Sequence, residues 1–175
     1  QSMLACAILA VVGLAGTLVV CAAETRAADV DAAAELEPGP NDRQITLAVR
    51  SYLEREHLTR RPIDDEIAGR WFDMFLGALD PMKMYFMQSD IDEFSQRKNQ
   101  LDDLVRRGNV DFAYDVYQRF VSRINQRLPQ IEALIQADLD FTAPETIMVD
   151  RDDVDWSASE EDAESRWRRR IKYDL

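Results

Sequence analysis

The chain has few of the residues that most catalytic and metal sites require. Its 175 residues include two cysteines and one histidine. Cys6 and Cys21 both lie in the first apolar segment, so the remainder can form neither an internal disulfide nor a thiolate metal site. With His57 as the only histidine, a zinc site or a Cys–His catalytic pair has no partners to use. We therefore expect no metal, no cofactor and no cysteine-based catalysis.

Glycine is also scarce after the apolar leader, where only Gly39, Gly69, Gly77 and Gly108 remain. Loops that bind nucleotide phosphates need several glycines close together, and no such loop is present. A Gly-x-Ser-x-Gly turn, which presents the nucleophile of many hydrolases, is absent as well. A Ser–His–Asp triad would rest on His57, whose position near a predicted helix end indicates a surface or capping role. No catalytic or cofactor-binding residue is assigned.

Acidic residues outnumber basic ones, 33 to 21, and the formal net charge is −12. Phosphate backbones repel a chain of this charge, which argues against nucleic acid as a partner. The segment from Asp153 to Glu164 partly matches a calcium loop, but Ala158 stands where glycine makes the sharp turn. We interpret these carboxylates as the solvated surface of an extended acidic connector, residues 139–159, before the last helix.

A basic cluster marks the last predicted helix. It comprises Arg166, Arg168, Arg169, Arg170 and Lys172. The pairs Asp162→Arg166 and Glu164→Arg168 have the favourable i,i+4 order, and positive charge complements the C-terminal end of a helix. These roles account for the cluster. An ionic contact with a following domain is the alternative that we place ahead of nucleic acid.

The N-terminal region has the features of an export signal. Residues 3–23 are uncharged and apolar, which predicts a signal peptide over residues 1–27. The alternatives are an uncleaved anchor, because a spanning helix needs about 20 residues, and a lipoprotein that would use Cys21. Each version places the rest of the chain in the periplasm or on the extracytoplasmic side of a membrane, with membrane contact only through this segment. Residues 28–42, which contain a Pro-Gly-Pro sequence, are predicted to form a flexible linker.

Beyond the linker, apolar residues recur at helical spacing, which predicts an all-α domain over residues 43–175 with about five, mostly antiparallel helices. The first helix is predicted to end near His57, before a turn that contains proline. The second begins at a cap on Asp64 or Asp65 and ends before Asp80-Pro81. The apolar stripes of these two helices comprise Ile45, Ala48, Val49, Tyr52 and Leu53 in the first, and Ile67, Trp71, Met74, Phe75, Ala78 and Leu79 in the second.

The third and fourth helices have recognisable ends. The third is predicted from a cap on Ser89, with Asp92 in the capping-box position, to a C-terminal glycine at Gly108. The fourth is the longest, and Pro129 inside its apolar pattern is expected to kink or split it. The last helix follows the acidic connector and continues to the end of the chain.

The segment between the second and third predicted helices is unusually apolar. It contains Met82, Met84, Tyr85, Phe86 and Met87. We interpret these residues as core packing between helices, with a pliable peptide-binding surface as the alternative. The predicted core as a whole comprises Trp71, Phe75, Leu79, Phe86, Phe94, Leu101, Val116, Tyr117, Phe120 and Ile124.

A series of short motifs, in a fixed order, carries a family resemblance. The motifs are Arg61-Pro62-Ile63-Asp64-Asp65-Glu66, Trp71-Phe72-Asp73, Leu76-Gly77-Ala78-Leu79-Asp80, the stretch from Ala78 to Phe94, Asp111-Phe112-Ala113-Tyr114, Asp140-Phe141-Thr142 and Trp167-Arg168-x-x-Ile171-Lys172-Tyr173-Asp174-Leu175. Together they resemble the N-terminal helical domain of the C-terminal processing peptidases, also called tail-specific proteases. The resemblance covers residues 43–175, which is almost the whole predicted globular part.

The resemblance implies a bacterial serine protease as the parent protein. In that family, the helical domain precedes a PDZ domain and a peptidase domain of the same polypeptide, where a lysine base activates a serine, and the substrates are proteins. The lysines here, Lys83, Lys98 and Lys172, match no catalytic motif, so no catalytic residue is carried over. Residues 43–175 are therefore expected to be a scaffold or substrate-positioning domain, incomplete at its C-terminal end. The alternative is a free-standing exported or membrane-anchored helical protein-binding module.

Overall fold

The computed structural model describes residues 37–58, 60–150 and 154–175, so the predicted leader lies outside the described residues. The helices are α1 (Asp42–Glu56), α2 (Asp65–Leu79), α3 (Gln88–Ser95), a 3₁₀ helix (Lys98–Gln100), α4 (Leu101–Arg107), α5 (Asp111–Gln136) and α6 (Glu160–Asp174). Within the described ranges, extended backbone pairs only in one isolated bridge, between Met87 and Ser157. The predicted all-α class is confirmed. None of the described helices has the length and apolar character needed to span a membrane.

Local side-chain chemistry explains where the first two helices begin. The Asp64 carboxylate accepts the amide of Ile67 at 3.0 Å and caps α2, as predicted. Asp42 is the first residue of α1, and its carboxylate accepts the Gly39 amide at 2.8 Å. The same carboxylate accepts the hydroxyl of Tyr114 at 2.6 Å, so the start of α1 is tied to α5.

The predicted third helix is a bent unit, with the 3₁₀ helix between α3 and α4. The predicted N-cap, Ser89, lies two residues after the observed N-cap, Met87. The helix α3 therefore begins at Gln88, and Asp90, not Asp92, accepts the amide of Met87 at 3.0 Å. The predicted end of the third helix was correct, because Gly108 follows α4 with φ of +69°. A Cβ there would lie 2.9 Å from the carbonyl oxygen of Arg43, so glycine also lets α1 approach α4 closely.

Helix α5 continues through Pro129 to Gln136, so the proline does not split it. Proline has no amide hydrogen, which leaves the carbonyl of Asn125 without its usual donor. Both residues are exposed, and water can therefore satisfy that carbonyl. The solvent-facing position explains why the helix tolerates the proline.

The core forms around Phe86, which is fully buried. Its ring centroid lies 5.8 Å from Phe94, 5.5 Å from Phe120 and 5.8 Å from Trp156. The core cluster comprises Ala68, Phe72, Leu76, Phe86, Phe94, Leu101, Phe112 and Val116, with Phe75, Leu79, Ile91, Leu104, Phe120 and Trp156 packed against it. Because Met84 and Met87 are buried as well, the interpretation of the apolar segment as core packing is confirmed.

The predicted apolar face of α1 was largely wrong, and that of α2 was only partly right, because Phe75 and Leu79 pack against the core but the fully buried residues lie on a neighbouring stripe. On α2 the buried residues are Ala68, Phe72 and Leu76, whereas Met74 is 72% exposed. On α1 no residue is fully buried, and Ile45, Val49 and Tyr52 are exposed. On α5, Tyr117 was predicted to lie in the core but is 38% exposed and does not belong to the observed core cluster. An α-helix advances 100° per residue, so α2 has two neighbouring apolar stripes, and its sequence alone does not show which one meets the core.

Replacement of Phe120 by alanine should destabilise the domain by about 3 kcal/mol, because a partly buried aromatic ring is lost from the core. The control Tyr117→Ala, on the same helix, should cost less than about 1 kcal/mol. Urea unfolding followed by circular dichroism measures both changes. Equal losses for the two variants would show that the buried face of α5 is placed incorrectly.

Candidate functional site

A buried carboxylate shapes the loop of residues 80–87, here called the connector loop. Asp80, at the end of α2, is 1% exposed. Its Oδ1 accepts the amide of Met84 at 3.0 Å, and its Oδ2 accepts those of Tyr85 at 2.8 Å and Phe86 at 3.0 Å. These three donors satisfy a charge that would be costly to bury alone. The carboxylate therefore folds the connector loop back over the end of α2.

A second buried carboxylate, Asp90, joins α3 to α5. Arg119 Nη1 donates to Asp90 Oδ1 at 2.6 Å, and Arg123 donates through Nε at 2.8 Å and Nη2 at 2.9 Å. Burial by itself would raise the pKa of this carboxyl. Hydrogen bonds from Arg123, the amide of Met87 and Arg119 outweigh that effect and hold the pKa below its ordinary value of 3.8. Asp90 is thus a charged structural group in the folded domain.

Helix α6 is docked by a third charged contact. Arg127, which is 2% exposed, pairs with Glu160 at 3.1 Å and donates to Gln130 at 2.6 Å. The indole of Trp167 donates to the carbonyl of Met84 at 3.0 Å. Sequence reasoning did not single out the arginines of α5. The detectable signal was their i, i+4, i+8 spacing at Arg119, Arg123 and Arg127 on a helix with an apolar face.

The environment of Lys83 bears on the possibility of serine–lysine chemistry. Its ammonium donates to the carbonyl of Val154 at 2.7 Å and lies 5.9 Å from the ring centroid of Trp156. The hydroxyl of Ser157, which directly follows Trp156 in the sequence, is buried but has no hydrogen-bond partner in the described ranges. A lysine base activates a serine through a direct hydrogen bond. The contacts of Lys83 instead attach the connector loop to the segment that precedes α6.

The remaining polar candidates occupy ordinary structural positions. His57 is exposed and directly follows α1, which agrees with a surface or capping role. Across residues 37–58, 60–150 and 154–175, no group of three or more His, Cys, Asp or Glu side chains is placed to hold a metal ion. The first position of the calcium-like segment, Asp153, lies outside the described residues.

The basic cluster of α6 pairs partly within the helix and partly with the acidic connector. Arg166 contacts Asp162 at 2.8 Å, as predicted from the i,i+4 spacing. Arg168, however, pairs with Glu145 at 2.8 Å, and Lys172 approaches the same carboxylate at 3.4 Å. Arg168 and Lys172 therefore hold the acidic connector, residues 139–159, against α6.

An apolar groove lies open between the end of α1 and the exposed face of α2, with a volume of about 370 Å³. Its lining residues are Leu53, His57, Arg61, Ile63, Ile67, Arg70, Trp71 and Met74. Three of these, Ile67, Trp71 and Met74, belong to the α2 stripe that the sequence pattern assigned to the core. The groove is the candidate interaction surface of the domain, because it is concave and mostly apolar.

Comparison with known proteins identifies a family and a similar protein. The sequence profile of the family described as the tail specific protease N-terminal domain matches residues 49–175. A tail-specific protease of Haemophilus influenzae is 29% identical over 124 residues, which is 70% of this chain. The chain spans 18% of the length of that relative. The similarity therefore covers the helical region described above and a small part of the longer protein.

The lowered pKa of Asp90 predicts a pH-dependent contribution to stability. Because the folded-state pKa lies below the ordinary 3.8, the contribution is complete above about pH 5 and is lost as the pH falls through the folded-state pKa. Asp90→Asn should cost about 3 kcal/mol near pH 7, because two arginines lose their shared partner, and clearly less near pH 3.

Urea midpoints of the wild-type and variant proteins at both pH values test this prediction. Asp92→Asn, an exposed position on the same helix, is the control and should change stability by less than about 0.5 kcal/mol. A loss at Asp90→Asn of the same size at both pH values would contradict the ionic role.

Proposed function

We propose that this chain, which belongs to the tail-specific protease N-terminal domain family, is the helical scaffold and substrate-positioning domain of an exported serine-type processing peptidase. The family match carries the proposal, because it extends from within α1 to the end of α6. The family resemblance seen in the sequence is thereby confirmed. Because the chain corresponds to 18% of the Haemophilus influenzae relative, we assign the cleavage chemistry to other parts of a longer parent protein.

The packing of the domain supports a scaffold role. The connector loop is held by Asp80, and α3 and α6 are held to α5 by Asp90 and Arg127. The ion pairs of buried Asp90 and of buried Arg127 favour one arrangement of helices over others, because a misplaced partner would leave a buried charge uncompensated. A domain with one defined arrangement can hold a neighbouring domain or a substrate in a fixed orientation.

The partners that we propose follow from the family. They are a PDZ domain and a peptidase domain of the same polypeptide, together with protein substrates. The apolar run of residues 3–23 supports export, with the domain in the periplasm or on the extracytoplasmic side of a membrane. In this arrangement the membrane contact is limited to the N-terminal segment.

A second function has a specific observation in its favour. The open apolar groove between α1 and α2 fits a free-standing exported or membrane-anchored protein-binding module as well as it fits a protease domain. The two functions differ in what the gene encodes after Leu175. An in-frame PDZ-like and peptidase region is expected there for the protease domain, and sequencing the gene measures it. A stop codon directly after Leu175 would favour the binding module.

The purified chain should not hydrolyse peptides. The ammonium of Lys83 contacts a carbonyl and an aromatic ring, and no serine in the described ranges follows a glycine-rich turn that would expose it beside an oxyanion hole. The measurement is incubation with an unstructured polypeptide that has an apolar C-terminus, followed by mass spectrometry. Cleavage that disappears in Lys83→Ala would contradict the scaffold assignment.

A further inference from the structure

We propose that residues 28–36 of this chain, here called the N-terminal segment, run back along α1 and cover the groove between α1 and α2. Val30 enters the groove, and the neighbouring Asp29 and Asp31 pair with the arginines of its lining. The N-terminal segment lies outside the described residues. The inference is independent of the proposed function, because it concerns a contact between two parts of the same chain.

An exposed stripe of α1 leads from the attachment point of this segment to the groove. Ile45 and Val49 are 57% and 52% exposed, and Leu53 and His57, which follow at the same spacing of four residues, line the groove. Residues four apart lie on one side of a helix, so these four side chains form one continuous ridge. A segment that covers Ile45 and Val49 removes apolar surface from water, which favours the docked position.

The length of the N-terminal segment fits this path. The groove lies near the C-terminal end of α1, and a helix rises by about 1.5 Å per residue, so His57 lies about 24 Å along the axis from Asn41. An extended chain advances by about 3.3 Å per residue, so the stretch from Pro38 back to Val30 spans about 26 Å. Val30 therefore reaches the groove when the segment runs antiparallel to α1.

The charges of the segment and of the groove are complementary. The groove lining contains Arg61 and Arg70 and no acidic residue. The N-terminal segment has a carboxylate on each side of Val30 and contains no basic residue. The distance from Arg70 to Glu66 is 3.7 Å, which is longer than a hydrogen bond, so the guanidinium of Arg70 keeps donors for a further carboxylate. Guanidinium and carboxylate groups form favourable paired hydrogen bonds.

The covalent link to α1 strengthens this contact. Docking of the segment is intramolecular, which corresponds to an effective concentration on the order of 1 mM. A contact of modest affinity is therefore occupied most of the time. Any other ligand of the groove has to displace the N-terminal segment first.

Disulfide formation tests the position of Val30. The purified chain carries Val30→Cys and Met74→Cys, with Cys6 and Cys21 replaced by serine, and is oxidised by glutathione disulfide at low protein concentration. Met74 lines the groove and is 72% exposed, so its replacement leaves the core intact. Met148→Cys with Val30→Cys is the matched control, because Met148 is 62% exposed and lies outside the groove. The disulfide within one chain should form at least about tenfold faster with Met74→Cys.

Charge variants of the same two-cysteine chain test the ion pairs. Asp29→Asn together with Asp31→Asn should slow disulfide formation by about threefold or more, and Arg70→Gln should slow it as well. All three substitutions together should slow it by less than the product of the separate effects, because they remove the same ion pairs. Arg55→Gln, at an exposed position of α1 outside the lining, should leave the rate unchanged.

A chain without introduced cysteines gives a second measurement. Val30→Asp should displace the segment from the groove and shift the indole N–H resonance of Trp71, which is half-buried in the lining. The resonances of Trp156, packed against the core, and of Trp167, bonded to the carbonyl of Met84, should not move. Two-dimensional ¹H–¹⁵N NMR distinguishes the three indoles.

Three results would overturn the inference. Equal disulfide rates for Met74→Cys and Met148→Cys would show that Val30 does not enter the groove and would leave the groove to a partner protein. A disulfide between two chains would assign the groove to a second copy. An unchanged Trp71 resonance in Val30→Asp would place the segment elsewhere. None of them decides the proposed function, which depends on the protein-coding sequence after Leu175.

Discussion

The buried carboxylate of Asp80 sets the path of the chain on which the rest of the fold depends. It accepts three successive amides of the connector loop and thereby places Phe86 between α2, α3 and α5. The same loop offers the carbonyl of Met84 to Trp167 of α6. Because an unpaired carboxylate is costly in an apolar interior, carboxylate and loop keep each other in place. Four helices therefore meet around one irregular segment instead of packing only helix against helix.

Charged side chains also fix the contacts that α5 makes with α3 and α6. Asp90 is shared by Arg119 and Arg123, and Arg127 pairs with Glu160 at the start of α6. Such pairs add little net stability over apolar contacts, but they penalise every register that separates the partners. The relative positions of α3, α5 and α6 are accordingly fixed by specific pairs of side chains. The face formed by α1 and α2 is different, because its apolar side chains are left open to solvent.

The difference between the paired contacts of α5 and the open face of α1 and α2 explains which features could be predicted from the sequence. Periodicity located the helices, and local chemistry located the cap on Asp64 and the terminal Gly108, since both effects act within a few residues. The third helix was predicted as continuous and is bent, and its cap on Asp90 was missed. No sequence rule separates a buried apolar stripe from an exposed one on the same helix. The groove could therefore not be predicted from the sequence, because the positions of Met74 and Trp71 relative to the core were not known.

The sequence by itself determined the all-α class, the membership of a family and the absence of recognisable catalytic motifs, because these depend on residue order and spacing. Tertiary structure decided which charges are buried, which stripe of α2 meets the core and which partner each basic residue of α6 takes. Arg168 pairs with Glu145 across 23 positions of the chain, although Glu164 is available at the favourable helical spacing. Such choices depend on distances between segments that are remote in sequence, and only the folded chain sets those distances.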